Sequence, residues 1–129
     1  MTRMARRSRL LACLPLLAAW VSGGCAVATG YPPQRPVPDI ATIAGKWSGT
    51  IEFGRGLDLF YLTINPDGSL VASWRINTQF GNVTLSGGKA TFQMGIYSGD
   101  LQYLEGGGKR MIILREEFGT FYAQVTPLS

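Results

Sequence analysis

The sequence predicts an all-β fold: a small antiparallel meander, closing into an up-and-down eight-stranded barrel, with a two-sheet β-sandwich as the alternative. Three observations predict it. From Ile40 onward apolar and polar residues alternate with period two, the spacing that lines one face of a strand. Glycine-rich turns interrupt the alternation at short intervals. No stretch between Ile40 and Ser129 sustains a 3.6-residue period over three turns, and the one helix-tolerant piece is a single turn near Asp39 to Ala44.

The first strand, Lys46 to Phe53, sets Trp47, Gly49, Ile51 and Phe53 on one face and Lys46, Ser48, Thr50 and Glu52 on the other. One buried and one wet side is what an antiparallel sheet requires. Gly54-Arg55-Gly56 ends it. The second strand, Leu57 to Asn65, faces Phe60, Leu62 and Ile64 inward and closes in Asn65-Pro66-Asp67-Gly68, where proline fixes φ and glycine supplies positive φ. The third, Ser69 to Asn77, is expected to place Leu70, Ala72, Trp74 and Ile76 inward, which pins its register against the second. Shorter strands are expected at Val83 to Ser86, Lys89 to Met94, Leu101 to Glu105, Met111 to Glu116 and Phe121 to Thr126. They are divided by Gly87-Gly88, Gly95 to Asp100, Gly106 to Gly108 and Gly119. Closing such a set into a barrel removes the edges that would otherwise pair with neighbouring chains.

Ahead of the strands, residues 1–24 have the three-part layout of a secretory signal peptide: a basic start with Arg3, Arg6, Arg7 and Arg9, an apolar run from Leu10 to Val21, and small residues before Cys25. The run is too short for a spanning helix, which needs about 20 residues, and it contains Pro15. Gly23-Gly24-Cys25 resembles the lipobox of bacterial lipoproteins, in which cleavage precedes a cysteine that receives a diacylglyceryl group. Ser22 stands where that motif usually has leucine, so release after ordinary cleavage stays open. Arg6-Arg7 followed by Ser8-Arg9-Leu10-Leu11 weakly resembles a twin-arginine signal, and the export route is left undecided. With Ala26 after the cysteine, the lipoprotein sorting pattern implies the outer membrane, the domain facing the periplasm; a soluble periplasmic or secreted protein is the alternative. Cys13 is lost with the signal, so the mature chain keeps one cysteine and no internal disulfide. Residues 25–39, with Pro32, Pro33, Pro36 and Pro38, read as a stiff tether that would hold the domain roughly 40 Å from the lipid.

Composition excludes several chemistries. The chain has 129 residues and no histidine, which rules out Ser-His-Asp and Cys-His nucleophile pairs and histidine-ligated metal. Its net charge of +4 belongs to the first nine residues; beyond residue 24 the basic and acidic residues balance, so no nucleic-acid partner is expected. Asp58, Asp67 and Asp100 sit at turns and form no calcium loop, so no metal is expected. The glycine sets open no helix that could hold a phosphate. Glu116 and Glu117 point to opposite faces of a strand and read as a solvated strand end, not an acid–base pair. No cofactor and no catalytic residue is expected.

Gly45-Lys46-Trp47 at the start of the first strand resembles the G-x-W motif of lipocalins and the first-strand tryptophan of avidins, both up-and-down barrels that bind small ligands. The resemblance implies that Trp47 packs at a closed barrel end beneath an arginine of a late strand, and Arg115 is the residue expected in that role. The domain is shorter than a lipocalin, and inward-facing Trp47, Phe53, Phe60, Trp74 and Phe92 would fill much of an eight-stranded interior. A ligand site is therefore expected only at a mouth lined by loops. The domain is also similar to small lipoprotein inhibitors of lysozyme, although it lacks their disulfide and Ser98-Gly99 is followed by Tyr103, one residue late.

Tyr61, Tyr97, Tyr103 and Tyr122 suit either a contact surface or ordinary packing. Phe80, in an expected loop from Thr78 to Asn82, and Phe118, beside Gly119, are unusual because turns are normally wet. With Tyr97 they form the candidate contact surface, while Trp47, Trp74 and Arg115 are structural candidates. The expected function is that of a lipid-anchored, non-catalytic binding module for an envelope protein. The alternatives are a lipocalin-like carrier of a small apolar or sugar-like ligand and an inhibitor of an exogenous hydrolase.

Overall fold

A computed structural model describes residues 30–128. The signal-peptide reading of residues 1–24 and the lipidation of Cys25 lie outside the described residues. The chain divides into two units, residues 1–32 and 33–129. Of the first, residues 30–32 are described and carry no regular secondary structure.

The second unit holds nine strands: β1 (Gln34–Arg35), β2 (Gly45–Phe53), β3 (Gly56–Ile64), β4 (Ser69–Trp74), β5 (Asn77–Ser86), β6 (Lys89–Met94), β7 (Tyr97–Gly106), β8 (Lys109–Glu116) and β9 (Phe121–Pro127). Strands β2 to β9 pair antiparallel in sequence order, and β9 returns to β2 through the register Trp47↔Pro127 to Phe53↔Phe121. The result is a closed eight-stranded up-and-down barrel with one extra strand. A sandwich is excluded by that closure.

Inward positions follow the alternation. Trp47 and Ile51 on β2, Phe60, Leu62 and Ile64 on β3, Leu70, Ala72 and Trp74 on β4, and Ala90, Phe92 and Met94 on β6 are all buried. They pack with Ile112 and Leu114 of β8 and Phe121, Ala123 and Val125 of β9 into one core. Burial of this apolar area drives folding. Gly49 occupies an inward position where a Cβ would fall against the carbonyl oxygen of Gln124, so the close approach of β2 to β9 requires glycine.

The end where the chain enters is closed. Asp39 caps a 3₁₀ turn, Ile40–Thr42, its Oδ1 accepting the Thr42 backbone N–H at 3.1 Å and the Thr42 hydroxyl at 3.0 Å. The turn lays Ile40 and buried Ile43 against the core. The Trp47 indole N–H donates to the Ile43 carbonyl at 3.0 Å. Arg110 stands over the Trp47 ring, 4.9 Å from its centroid, and donates to the Thr42 carbonyl at 2.9 Å and the Tyr103 hydroxyl at 3.1 Å. The arginine over Trp47 is therefore Arg110 and not Arg115. Arg115 lies exposed on the outer wall, 4.9 Å from the centroid of Tyr122.

Four further expectations need correction. Residues 34–37 do not belong to a free tether: β1 pairs with β7 at Gln34↔Leu104 and Arg35↔Tyr103, and Val37 is buried, its N–H donating to the Gly88 carbonyl at 2.8 Å. β1 extends along the part of β7 that the shorter β6 leaves unpaired. Strand β4 stops at Trp74, and Ile76 is not inward but 98% exposed in a two-residue turn. Phe80 lies in a strand, since β5 begins at Asn77 and runs ten residues. β7 likewise begins at Tyr97, four residues before its expected start.

Candidate binding site at the far end of the barrel

Four hairpin turns make up the end opposite the chain entry: residues 54–55, 75–76, 95–96 and 117–120. Three of them carry a large apolar residue almost wholly in water: Ile76, Ile96 at 90% exposure and Phe118 at 83%. The turns of the entry end are made from Asn65-Pro66-Asp67-Gly68, Gly87-Gly88 and Gly107-Gly108. The Asp67 carboxylate is held below its ordinary range by the Ser69 N–H and hydroxyl, as suits a polar turn. One end of the barrel is thus polar, and the other is tipped with isolated apolar side chains.

The Phe118 turn is held from below. Glu116, expected as part of a solvated strand end, is 7% exposed; its Oε1 accepts the Phe118 and Thr120 backbone N–H groups, both at 2.9 Å. The Thr120 N–H is the main cause that keeps its carboxyl below the ordinary range. Glu117 accepts the Ser98 hydroxyl at 2.9 Å, and its own N–H donates to the Ser98 carbonyl at 2.9 Å. The turn is therefore tied both to its own strand and to the start of β7.

Beneath the tips an aromatic layer fills the mouth. Phe53 stacks on Trp74 with centroids 5.7 Å apart, and Phe121 touches Phe53 at 5.3 Å and Tyr97 at 5.4 Å. These rings close the interior from above as Trp47 and Arg110 close it from below. Between the β2–β3 and β4–β5 hairpins the wall opens, because the β3–β4 ladder ends at Tyr61↔Ser73 and leaves Gly56–Phe60 paired with β2 alone. Asp58 and Arg75 bridge this opening at 2.9 Å. Arg75 adopts a left-handed φ of 54°, a conformation costing a side-chain-bearing residue about 1 kcal/mol. A cleft of about 380 Å³ lies on the inner side of the bridge, and a groove of about 450 Å³ on its outer side.

The sequence matches no protein-family model, and no curated protein and no solved structure is significantly similar to it. The site is therefore read from its own geometry.

The three candidate contact residues do not form one surface. Phe118 is at the tip of its turn. Tyr97 faces inward, opposite Met94, and belongs to the aromatic layer. Phe80 is 70% exposed on the outer wall, opposite Val71, on the side where Leu57, Leu59 and Tyr61 of β3 are also exposed. Trp74 is buried. Sequence reasoning missed Ile76 and Ile96. Their signal is a β-branched residue at the centre of a tight turn, in Trp74-Arg75-Ile76-Asn77 and Met94-Gly95-Ile96-Tyr97, where neither packing nor turn geometry favours it. Among the described residues, no helix is long and apolar enough to cross a membrane, and no three Asp, Glu or Cys side chains gather as metal ligands would.

Proposed function

We propose that this protein is a non-catalytic binding module of the cell envelope that engages a protein partner through the far rim of its barrel. The observation that carries this reading is the set of exposed apolar tips, Ile76, Ile96 and Phe118, on an end whose counterpart has polar turns. Buried at a protein contact, each such side chain contributes about 1.5 to 3 kcal/mol, against no gain while it stands in water. The filled interior supports surface recognition over carriage of a large apolar ligand inside the barrel.

The arginine over Trp47 also supports a lipocalin-like descent for the barrel. Lipid anchoring and outer-membrane placement are part of the same proposal, with the domain facing the periplasm. The test of rim binding replaces Ile76, Ile96 and Phe118 together by Ser. The variant should fold, since none of the three is in the core, and should lose an envelope protein that crosslinks to the wild type. Retention of that crosslink would overturn the rim as the docking surface. For the anchor, Cys25→Ser should move the protein from the membrane to the soluble fraction, and unchanged membrane association would refute it.

A further inference from the structure

The mouth holds polar groups that rim binding does not use. Asp58 and Gln79 both occupy inward positions of their strands, opposite Ile51 and Ala72, at the mouth of a largely apolar interior. A polar group turned inward carries a desolvation cost unless something engages it. Asp58 is engaged by Arg75. The Gln79 amide has no hydrogen-bond partner among the described residues, and neither has the Tyr97 hydroxyl. The head of Gln79 lies over Gly95, where a Cβ would fall against its Oε1, so the glycine leaves the seat in which that amide rests. Phe53, Trp74 and Tyr97 complete the lining of the cleft.

We propose that this cleft is a binding site for a neutral saccharide residue. The polar side chains that line it are the Asp58 carboxylate, which only accepts, the Arg75 guanidinium, which only donates, and the Asn77 and Gln79 amides and Tyr97 hydroxyl, which do both. Sugar hydroxyls each donate and accept, so adjacent hydroxyls can satisfy such a set at once. The Asp58 and Arg75 charges cancel, which favours an uncharged ligand: an anion would meet Asp58 and a cation would meet Arg75. An acyl chain would remove both charges from water and return no hydrogen bond. The half-buried edges of Phe53 and Tyr97 offer apolar surface to the C–H face of a pyranose. At about 380 Å³ the cleft is at the small end of ligand pockets and suits one or two rings.

The test uses the full chain and follows the fluorescence and indole proton shift of Trp74 during titration. The probes are glucose oligomers, N-acetylglucosamine oligomers, laurate and a short acidic peptide. At least one neutral oligosaccharide should give a saturable change, with the Trp47 indole, at the other end of the barrel, unmoved. Gln79→Ala should weaken that binding about tenfold and leave the melting curve unchanged, because its amide holds nothing in the protein. Gly95→Ala, which displaces the amide, should weaken binding to a similar degree and also lower the melting midpoint, because Gly95 holds a left-handed φ of 59° that alanine adopts only with strain. The Ile76, Ile96 and Phe118 variant should keep saccharide binding, so failure at the rim and failure at the cleft read out separately. Absence of a saturable saccharide response, binding of laurate or the acidic peptide alone, or saccharide binding indifferent to both Gln79→Ala and Gly95→Ala would overturn the proposal.

Discussion

Trp47 is held by three different forces: burial of its ring in the core, a hydrogen bond from its N–H to the Ile43 carbonyl, and the Arg110 cation over its face. Trp47→Ala should therefore cost about 3 to 5 kcal/mol, read as a shift of the denaturant midpoint. Arg110→Ala should cost about 2 kcal/mol, since it removes the cation and leaves the Thr42 carbonyl without its donor. Arg115→Ala, on the wet outer wall, should change stability by less than about 0.5 kcal/mol. Equal effects at 110 and 115 would contradict the assignment. The tryptophan was legible in the sequence because a clean alternation surrounds it. Its partner was not: Met111, Ile112, Ile113 and Leu114 are apolar on both faces of β8, so parity is lost and nothing tells the inward arginine from the outward one. Glu116 shows the same limit. Its role lies in accepting two turn amides, which depends on how that turn bends and not on strand periodicity. Because its carboxyl is held below the ordinary value of 4.5, the stability it contributes is present above that value and is lost as pH falls through the lowered one. The urea midpoint of the wild type should exceed that of Glu116→Gln at pH 7, and the gap should close as the solution is acidified below about pH 4.5. A gap that stays constant with pH would show that the carboxylate does not hold the turn.

At the scale of elements, the strands that were easiest to read are those whose inward residues are all large. The β3–β4 hairpin, with Phe60, Leu62, Ile64, Leu70, Ala72 and Trp74 inward, is of this kind. β5 is not, because its upper half turns Gln79 and Gly81 inward and Phe80 outward, the reverse of apolar-in, polar-out alternation, and it reads as a loop. The polar inward residue belongs to the mouth, and the outward phenylalanine to an exposed wall, and together they obscured the strand. β1 escaped notice because two residues between prolines carry no periodicity; they are strand by virtue of the β7 edge they meet. The fit between β2 and β9 gives a direct test. Gly49→Ala places a methyl against the Gln124 carbonyl and should destabilise the fold by about 1 to 3 kcal/mol, although alanine is ordinarily tolerated in a strand. An unchanged midpoint would mean that the two strands stand further apart.

Over the whole molecule, the barrel is closed, its interior is filled, and its two ends differ. The entry end is sealed by the 3₁₀ turn, Trp47 and Arg110, and its turns are polar. The far end stacks an aromatic layer, a polar cleft and a rim of apolar tips. The all-β class and the closed meander followed from alternation and glycine turns alone. The rim did not, because its meaning depends on bringing turns that are twenty residues or more apart to one end of the barrel. The central claim is that this rim is where the partner docks. The most direct test places a photo-crosslinking phenylalanine analogue at position 118 or 76 in the native host, and at the outward position Thr91 as a control. A discrete crosslinked protein from 118 and 76 and none from 91 is the predicted result. No crosslinked protein at the rim, or one that forms from position 91 alone, would contradict it.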